Sequence, residues 1–91
     1  MFFEWDEEKN KRNINNHGID FETAARVFYD EDRLEYYDAA HSVMEDRYIT
    51  IGEIKDVLIV MVVVYTERTN AIRIISARKA TGRERREYYG R

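Results

Sequence analysis

Ninety-one residues, 44% apolar and 36% charged, suit one folded domain with one core and are too apolar for a disordered chain. With no cysteine, disulfides and cysteine-ligated zinc are excluded, and the longest apolar run, Val57 to Val64, falls far short of the about 18–20 residues of a bilayer span. The net charge of −3 hides a split: residues 1–66 hold seven Lys/Arg against fifteen Asp/Glu, and residues 67–91 hold eight against three, which points to an anionic partner for the C-terminal part.

Phe2 to Trp5 reads as a short strand or an extended arm. The start Met-Phe-Phe-Glu-Trp-Asp is too short and too acidic for a signal peptide, so the expectation is a soluble cytosolic protein. Asp6 reads as an N-cap followed by Glu7 and Glu8, and a helix should run to about Asn16 and stop at Gly18. Its face is weakly apolar, with Ile14 the expected anchor. Asp20 is a second N-cap. Phe21, Ala24, Ala25 and Phe28 then fall at i, i+3, i+4 and i+7, which predicts a short amphipathic helix over 21–29.

From there the period becomes two. Leu34 to Tyr37 is a weak strand candidate, Arg47 to Gly52 a stronger one, and Val57 to Thr66 the strongest. Thr69-Asn70 suits a hairpin turn, and Ala71 to Ala77 returns as the next strand. After Arg78 the pattern predicts a polar C-terminal helix. These elements make a single domain over 1–91, of α+β class, with two N-terminal helices, an antiparallel sheet of three or four strands and one C-terminal helix. Val57–Thr66 is apolar on both parities. Both of its faces should therefore be covered, the second by a terminal segment, a second copy or another protein.

Arginines stand at the expected strand ends: Arg47, Arg68 and Arg78. Guanidinium groups bind phosphate bidentately and stay charged, so a cluster of them could hold a phosphodiester and stabilise its transition state. The same residues also suit an ordinary solvated sheet edge. By parity Arg73 and Arg78 take opposite faces unless a bulge intervenes. His17, just before Gly18, could shuttle protons, although a favourable interaction with the helix C-terminus is the simpler reading. Glu45 and Arg47, two apart, would share a face in a strand, as a base beside an arginine or as a surface ion pair. Tyr88 and Tyr89, after Arg85 and Arg86, could stack bases or anchor the last helix. Trp5, Phe21, Phe28 and Met61 are most simply core. No glycine-rich phosphate loop, nucleophile elbow, His-Glu-x-x-His pattern or calcium-loop spacing is present, so neither metal nor organic cofactor is expected.

Phe3-Glu4-Trp5-Asp6, Lys9, Asn13 and His17-Gly18-Ile19-Asp20-Phe21-Glu22 together resemble the BrnT family, toxins of bacterial type II toxin–antitoxin systems. The resemblance continues through Glu45-Asp46-Arg47-Tyr48, Val64-Tyr65-Thr66-Glu67-Arg68 and Arg73-Ile74-Ile75-Ser76-Ala77-Arg78-Lys79-Ala80 to Glu84-Arg85 and Tyr88. Departures from the family pattern are Asn16 in place of a basic residue, Asp30-Glu31 in place of Asp-Pro, and Thr69-Asn70 in place of a glycine. The resemblance implies a RelE/ParE-like fold and a metal-independent ribonuclease that arrests translation. It also implies a BrnA-like ribbon-helix-helix antitoxin as partner, in a complex of two toxins and two antitoxins that meets DNA through the antitoxin.

On this reading the RNA 2′-hydroxyl attacks the adjacent phosphate. Arg47, Arg68 and Arg78 stabilise the phosphate, Glu45 or His17 is the base, and Tyr88 stacks a base or assists proton transfer. Lys9, Lys79 and Arg85 are expected to hold the RNA. The rival expectation is a non-catalytic module that binds the antitoxin and takes part in operon autoregulation. Direct DNA binding is weaker, because no helix-turn-helix with a basic recognition helix is visible.

Overall fold

In the computed structural model, which describes residues 1–90, the side chain of Asp6 accepts hydrogen bonds from the N–H groups of Glu8 and Lys9 and starts α1 (Glu7–His17). Gly18 ends the helix in the left-handed region, at φ +70°, with its N–H on the Ile14 carbonyl. The anchor of this helix differs from expectation. Ile14 is exposed, and Asn13 is the buried residue. Helix α1 is held by amide hydrogen bonds: Asn10 accepts from the Phe21 N–H, and Asn13 bonds both Ile19 and Ala77.

Asp20 caps α2 (Phe21–Ala25) through the Thr23 N–H. The expected helix over 21–29 tightens into a 3₁₀ turn over Arg26–Tyr29. Val27 and the aromatic pair after it favour the α-helix weakly, and a last turn of this kind is common at helix ends. Phe21, Ala24, Ala25 and Phe28 are all buried, as their spacing demanded.

The sheet has five strands in the order β1-β5-β4-β3-β2: β1 (Phe3–Glu4), β2 (Leu34–Tyr37), β3 (Tyr48–Ile54), β4 (Ile59–Arg68) and β5 (Ala71–Lys79). The expectation of about four antiparallel strands is thus corrected to a mixed sheet. β1 pairs parallel with β5, Phe3 beside Ile72 and Glu4 beside Arg73. It docks there because Phe3 packs on Phe28 at 5.4 Å and Glu4 forms an ion pair with Arg73 at 2.7 Å. β4 starts at Ile59, two residues later than its apolar run. Val57 and Leu58 are exposed in the turn of the β3–β4 hairpin, where Leu58 takes φ +56°. Thr69-Asn70 forms the β4–β5 turn as expected.

One sheet face carries the main core. Phe21, Ala24, Val27 and Phe28 pack on Ile54, Met61, Val63, Tyr65, Ile74 and Ala77. The 3₁₀ turn comes so close to β3 that a Cβ on Gly52 would lie 3.1 Å from the Val27 Cβ and 3.2 Å from the Val27 carbonyl oxygen. The second face is smaller. Ile51, Val60 and Val62 are covered by Tyr88 from α3 (Gly82–Tyr89). Of the covers expected for this face, a terminal segment supplies this one.

Candidate active site

In β5 the alternation of faces is broken once. Ser76 pairs with Val64 but Ile74 pairs with Tyr65, so Ile75 is left without a partner as a bulge. Residues directly opposite in an antiparallel ladder share a face. Arg78 pairs with Val62, Ser76 with Val64, and Arg73 with Thr66, so all three stand on the second face. The bulge therefore reverses the parity argument that separated Arg73 from Arg78. The two remain apart along the sheet: four β4 residues, or roughly 13 Å at about 3.3 Å per residue, separate their partners.

Part of this face is left open by α3. His17, Ile49, Val62, Val64, Ser76, Ala77, Arg78 and Glu84 line a cleft of about 300 Å³ there. Its floor is apolar and its rim is polar. His17 reaches it because Asn13 fastens α1 to the outer edge of β5. The Asn13 Nδ2 donates to the carbonyls of Ala77 at 2.8 Å and Ile19 at 2.9 Å, and its Oδ1 accepts from the Ala77 N–H at 3.1 Å. The carboxamide thus does at Ala77 what a neighbouring strand would do. His17, one turn further along α1, then stands at the rim.

Arg78 is fixed by a two-point bond. Its Nη1 donates to Glu84 Oε1 at 2.7 Å and its Nη2 to Glu84 Oε2 at 2.9 Å, with Nη1 also reaching the Lys79 carbonyl at 3.3 Å. The Arg78 guanidinium, helped by the Thr81 N–H and against the opposing effect of burial, pulls the Glu84 carboxyl down to about 2. Glu84 in turn raises the already high Arg78 value. Glu84 is also the third residue of a capping box with Thr81 at the start of α3.

The other expected site residues lie elsewhere. Arg68 forms an ion pair with Glu45 at 3.4 Å at the far end of β4. Six β4 residues separate Arg68 from the partner of Arg78, roughly 20 Å at about 3.3 Å per residue, so the two arginines cannot grip one phosphate. Glu45 and Arg47 lie in the loop before β3, not in the strand, so the shared-face premise for them does not hold. Both line a separate hollow with His41, Val43 and Met44. Tyr88 is buried away from the cleft. Its hydroxyl bonds Asp30 Oδ2, and Lys55 Nζ lies 3.4 Å from it. Burial and the Asp30 carboxylate raise the Tyr88 value. Burial opposes the charged form of Asp30, yet hydrogen bonds from Tyr88 and from the N–H groups of Glu53 and Asp32 hold it below the usual carboxylate range. Tyr88 is a structural anchor, assisted by Tyr89 on Glu53 and by Tyr36 on Glu87. Lys79 and Arg85 share a small hollow with Leu58 and Ile59, while Lys9 is exposed on α1.

Sequence reasoning gave no role to Ser76, Glu84 or Asn13. The Thr81-x-x-Glu84 spacing was the legible signal for Glu84. Asn13 carried none, because its partner Ala77 is distant in the chain. Among the described residues, no group of three or more His, Asp and Glu side chains is placed to hold a metal ion, and no helix is long and apolar enough to cross a membrane.

No curated protein matches the chain. A family model does match, over residues 5–84, and its description is ribonuclease toxin, BrnT, of type II toxin-antitoxin system. The matched segment includes the whole cleft and stops at Glu84, short of Tyr88.

Proposed function

The chain belongs to the BrnT family of ribonuclease toxins of type II toxin–antitoxin systems, and from that premise we propose that it cleaves RNA in the second-face cleft, with Arg78 on the phosphate and His17 moving the proton. The observation that carries this reading is the convergence of His17 and Arg78 on one cleft from elements 61 positions apart in the sequence. In the reaction the 2′-hydroxyl loses its proton to the imidazole and its oxygen attacks the adjacent phosphorus. The bond to the 5′-oxygen breaks and that oxygen takes a proton back from the imidazolium or from water, leaving a 2′,3′-cyclic phosphate and a 5′-hydroxyl. Arg78 stabilises the negative charge that builds on the phosphoryl oxygens. The guanidinium supplies positive charge without a metal, and cleavage is expected to persist in EDTA.

Arg68 is too far along the sheet to act on the scissile phosphate; it and Arg47, Lys79 and Arg85, which line other hollows, serve as contacts for flanking nucleotides. A type II toxin has a cognate antitoxin as partner. In this reading it is a BrnA-like ribbon-helix-helix protein, bound two to two, which carries the DNA contacts, and the toxin acts in the cytoplasm. The RelE/ParE-like relationship of the fold belongs to the same proposal, supported by two N-terminal helices, an antiparallel run β2–β5 and a C-terminal helix.

The test uses antitoxin-free protein and a single-stranded RNA oligonucleotide. Arg78→Ala is expected to reduce cleavage at least about a hundredfold, the order lost when one transition-state donor is removed, and His17→Ala is expected to reduce it as well. Parent-like cleavage by Arg78→Ala would refute the assignment. Tight antitoxin binding by a parent protein that does not cleave would favour the non-catalytic module instead.

A further inference from the structure

Arginine presents two forks on one plane. The end-on fork uses Nη1 and Nη2, and the side-on fork uses Nε and the other hydrogen of Nη2. In this protein Glu84 fills the end-on fork of Arg78, and the Lys79 carbonyl takes the second Nη1 hydrogen. Among the described residues the Nε–H and one Nη2–H have no partner, and together they make the side-on fork. That pair of parallel donors matches two oxygens of a phosphodiester. Substrate therefore need not displace Glu84 in order to bind Arg78.

Glu84 is itself immobilised. Its Oε1 accepts from the Thr81 N–H at 2.9 Å as well as from Arg78, so the carboxylate cannot swing away without breaking the cap of α3. The far end of the same helix is clamped by Tyr88 on Asp30 and Tyr89 on Glu53. The orientation of the Arg78 plane is thus set by a helix fixed at both ends.

Two other roles for Glu84 fit the geometry poorly. As a general base it would need appreciable basicity, but three donors, two from Arg78 and one from the Thr81 N–H, already hold its oxygens and the group is a very weak base. As a block it would have to occupy the fork that phosphate uses, and it occupies the other one.

Resting on the cleft reading above, we propose that Glu84 is a positioning residue for phosphodiester cleavage: it holds the Arg78 guanidinium end-on so that the side-on fork is preset for the phosphoryl oxygens. It touches Arg78 and not the reacting atoms. Its contribution belongs to alignment in the transition state, where small misplacements are costly, and not to the attraction between a free arginine and RNA.

The experiment measures kcat and KM separately for cleavage of a single-stranded RNA by purified antitoxin-free protein, in the parent and four variants. Glu84→Gln keeps the size and loses the charge; kcat is expected to fall about ten- to a hundredfold while KM stays within about threefold. Thr81→Ala weakens the same helix cap but leaves the Glu84–Arg78 pair in place, and its kcat should stay within about threefold of the parent. Glu84→Asp keeps the charge on a shorter arm and guards against a Gln variant that fails to fold; an intermediate kcat is expected. Parent-like kcat in both Glu84 variants, a rise in kcat/KM in either, or an equal kcat loss in Thr81→Ala overturns the positioning role. Arg78→Ala separates the two levels: if it cleaves like the parent, the cleft reading itself has failed, whatever the Glu84 variants do.

Discussion

Replacing Asn13 by alanine tests the most specific structural claim, that one amide joins α1 to the sheet edge. Asn13 is 6% exposed, and its side chain makes three hydrogen bonds of 2.8 to 3.1 Å. Asn13→Ala leaves the Ala77 N–H, the Ala77 carbonyl and the Ile19 carbonyl without these partners. Each buried group left unmet costs about 1–3 kcal/mol, and some water entry into the vacated space holds the sum to about 3–5 kcal/mol. A domain of this size has only about 5–14 kcal/mol in total. At about 4–8 °C per kcal/mol, the melting temperature should fall by at least about 12 °C. Thermal and urea unfolding followed by circular dichroism measure both quantities. Asn13→Asp should be no better, because a carboxylate can still accept from the Ala77 N–H but must face two carbonyl oxygens. Asn16→Ala, three residues on and exposed, should change stability by less than about 0.5 kcal/mol. A loss below about 1 kcal/mol for Asn13→Ala would show that α1 is held by other contacts and that His17 is not placed by this amide.

Tyr88→Phe removes the hydroxyl from buried Asp30 and should cost about 1–3 kcal/mol in urea unfolding, while Tyr89 on Glu53 still holds this end of α3 and kcat per folded molecule stays within about threefold of the parent; a larger selective loss of kcat in the fully folded variant would restore Tyr88 to the chemistry. Gly18→Ala puts a side chain at φ +70° and should lower stability by about 1 kcal/mol, read as a shift in the urea midpoint; no shift would contradict the left-handed cap. The Glu84 carboxyl is depressed from 4.5 to about 2 in the folded state, so its stabilisation is fully present above pH 4.5 and is lost as pH falls toward 2. With the Arg78 side chain 42% exposed, screening reduces that term to about 1–2 kcal/mol. Glu84→Gln should flatten the loss of stability between pH 6 and pH 2 by most of this amount, and an unchanged difference would refute the pairing.

The elements were largely legible because they rest on local rules. Asp6, Gly18, Asp20 and Thr69-Asn70 mark their boundaries by capping and turn chemistry, and the structure places ends at each. What could not be read was whatever depends on register. The parallel strand β1 is two residues long and exists because Phe3 and Glu4 find Phe28 and Arg73. The bulge at Ile75 has no residue signature, yet it decides which arginines share a face. The site was half legible for the same reason. Arg78 and His17 line one cleft, while the similar chemistry of Arg68 and Glu45 lies too far along the sheet to join them. Ile14 looked like an anchor because it is apolar, but the inward face of α1 is made of Asn10 and Asn13, whose partners lie outside the helix.

Helix α3 has eight residues, yet it covers Val60 and Val62, and it supplies the carboxylate that aims Arg78. The cover of the second face and the seat of Arg78 therefore depend on the same short stretch of chain. A product cut before Gly82 would present bare valines and a loose arginine together. On the cleft reading proposed above, one short helix thus guards the apolar face and the guanidinium, and losing it would disturb the two together.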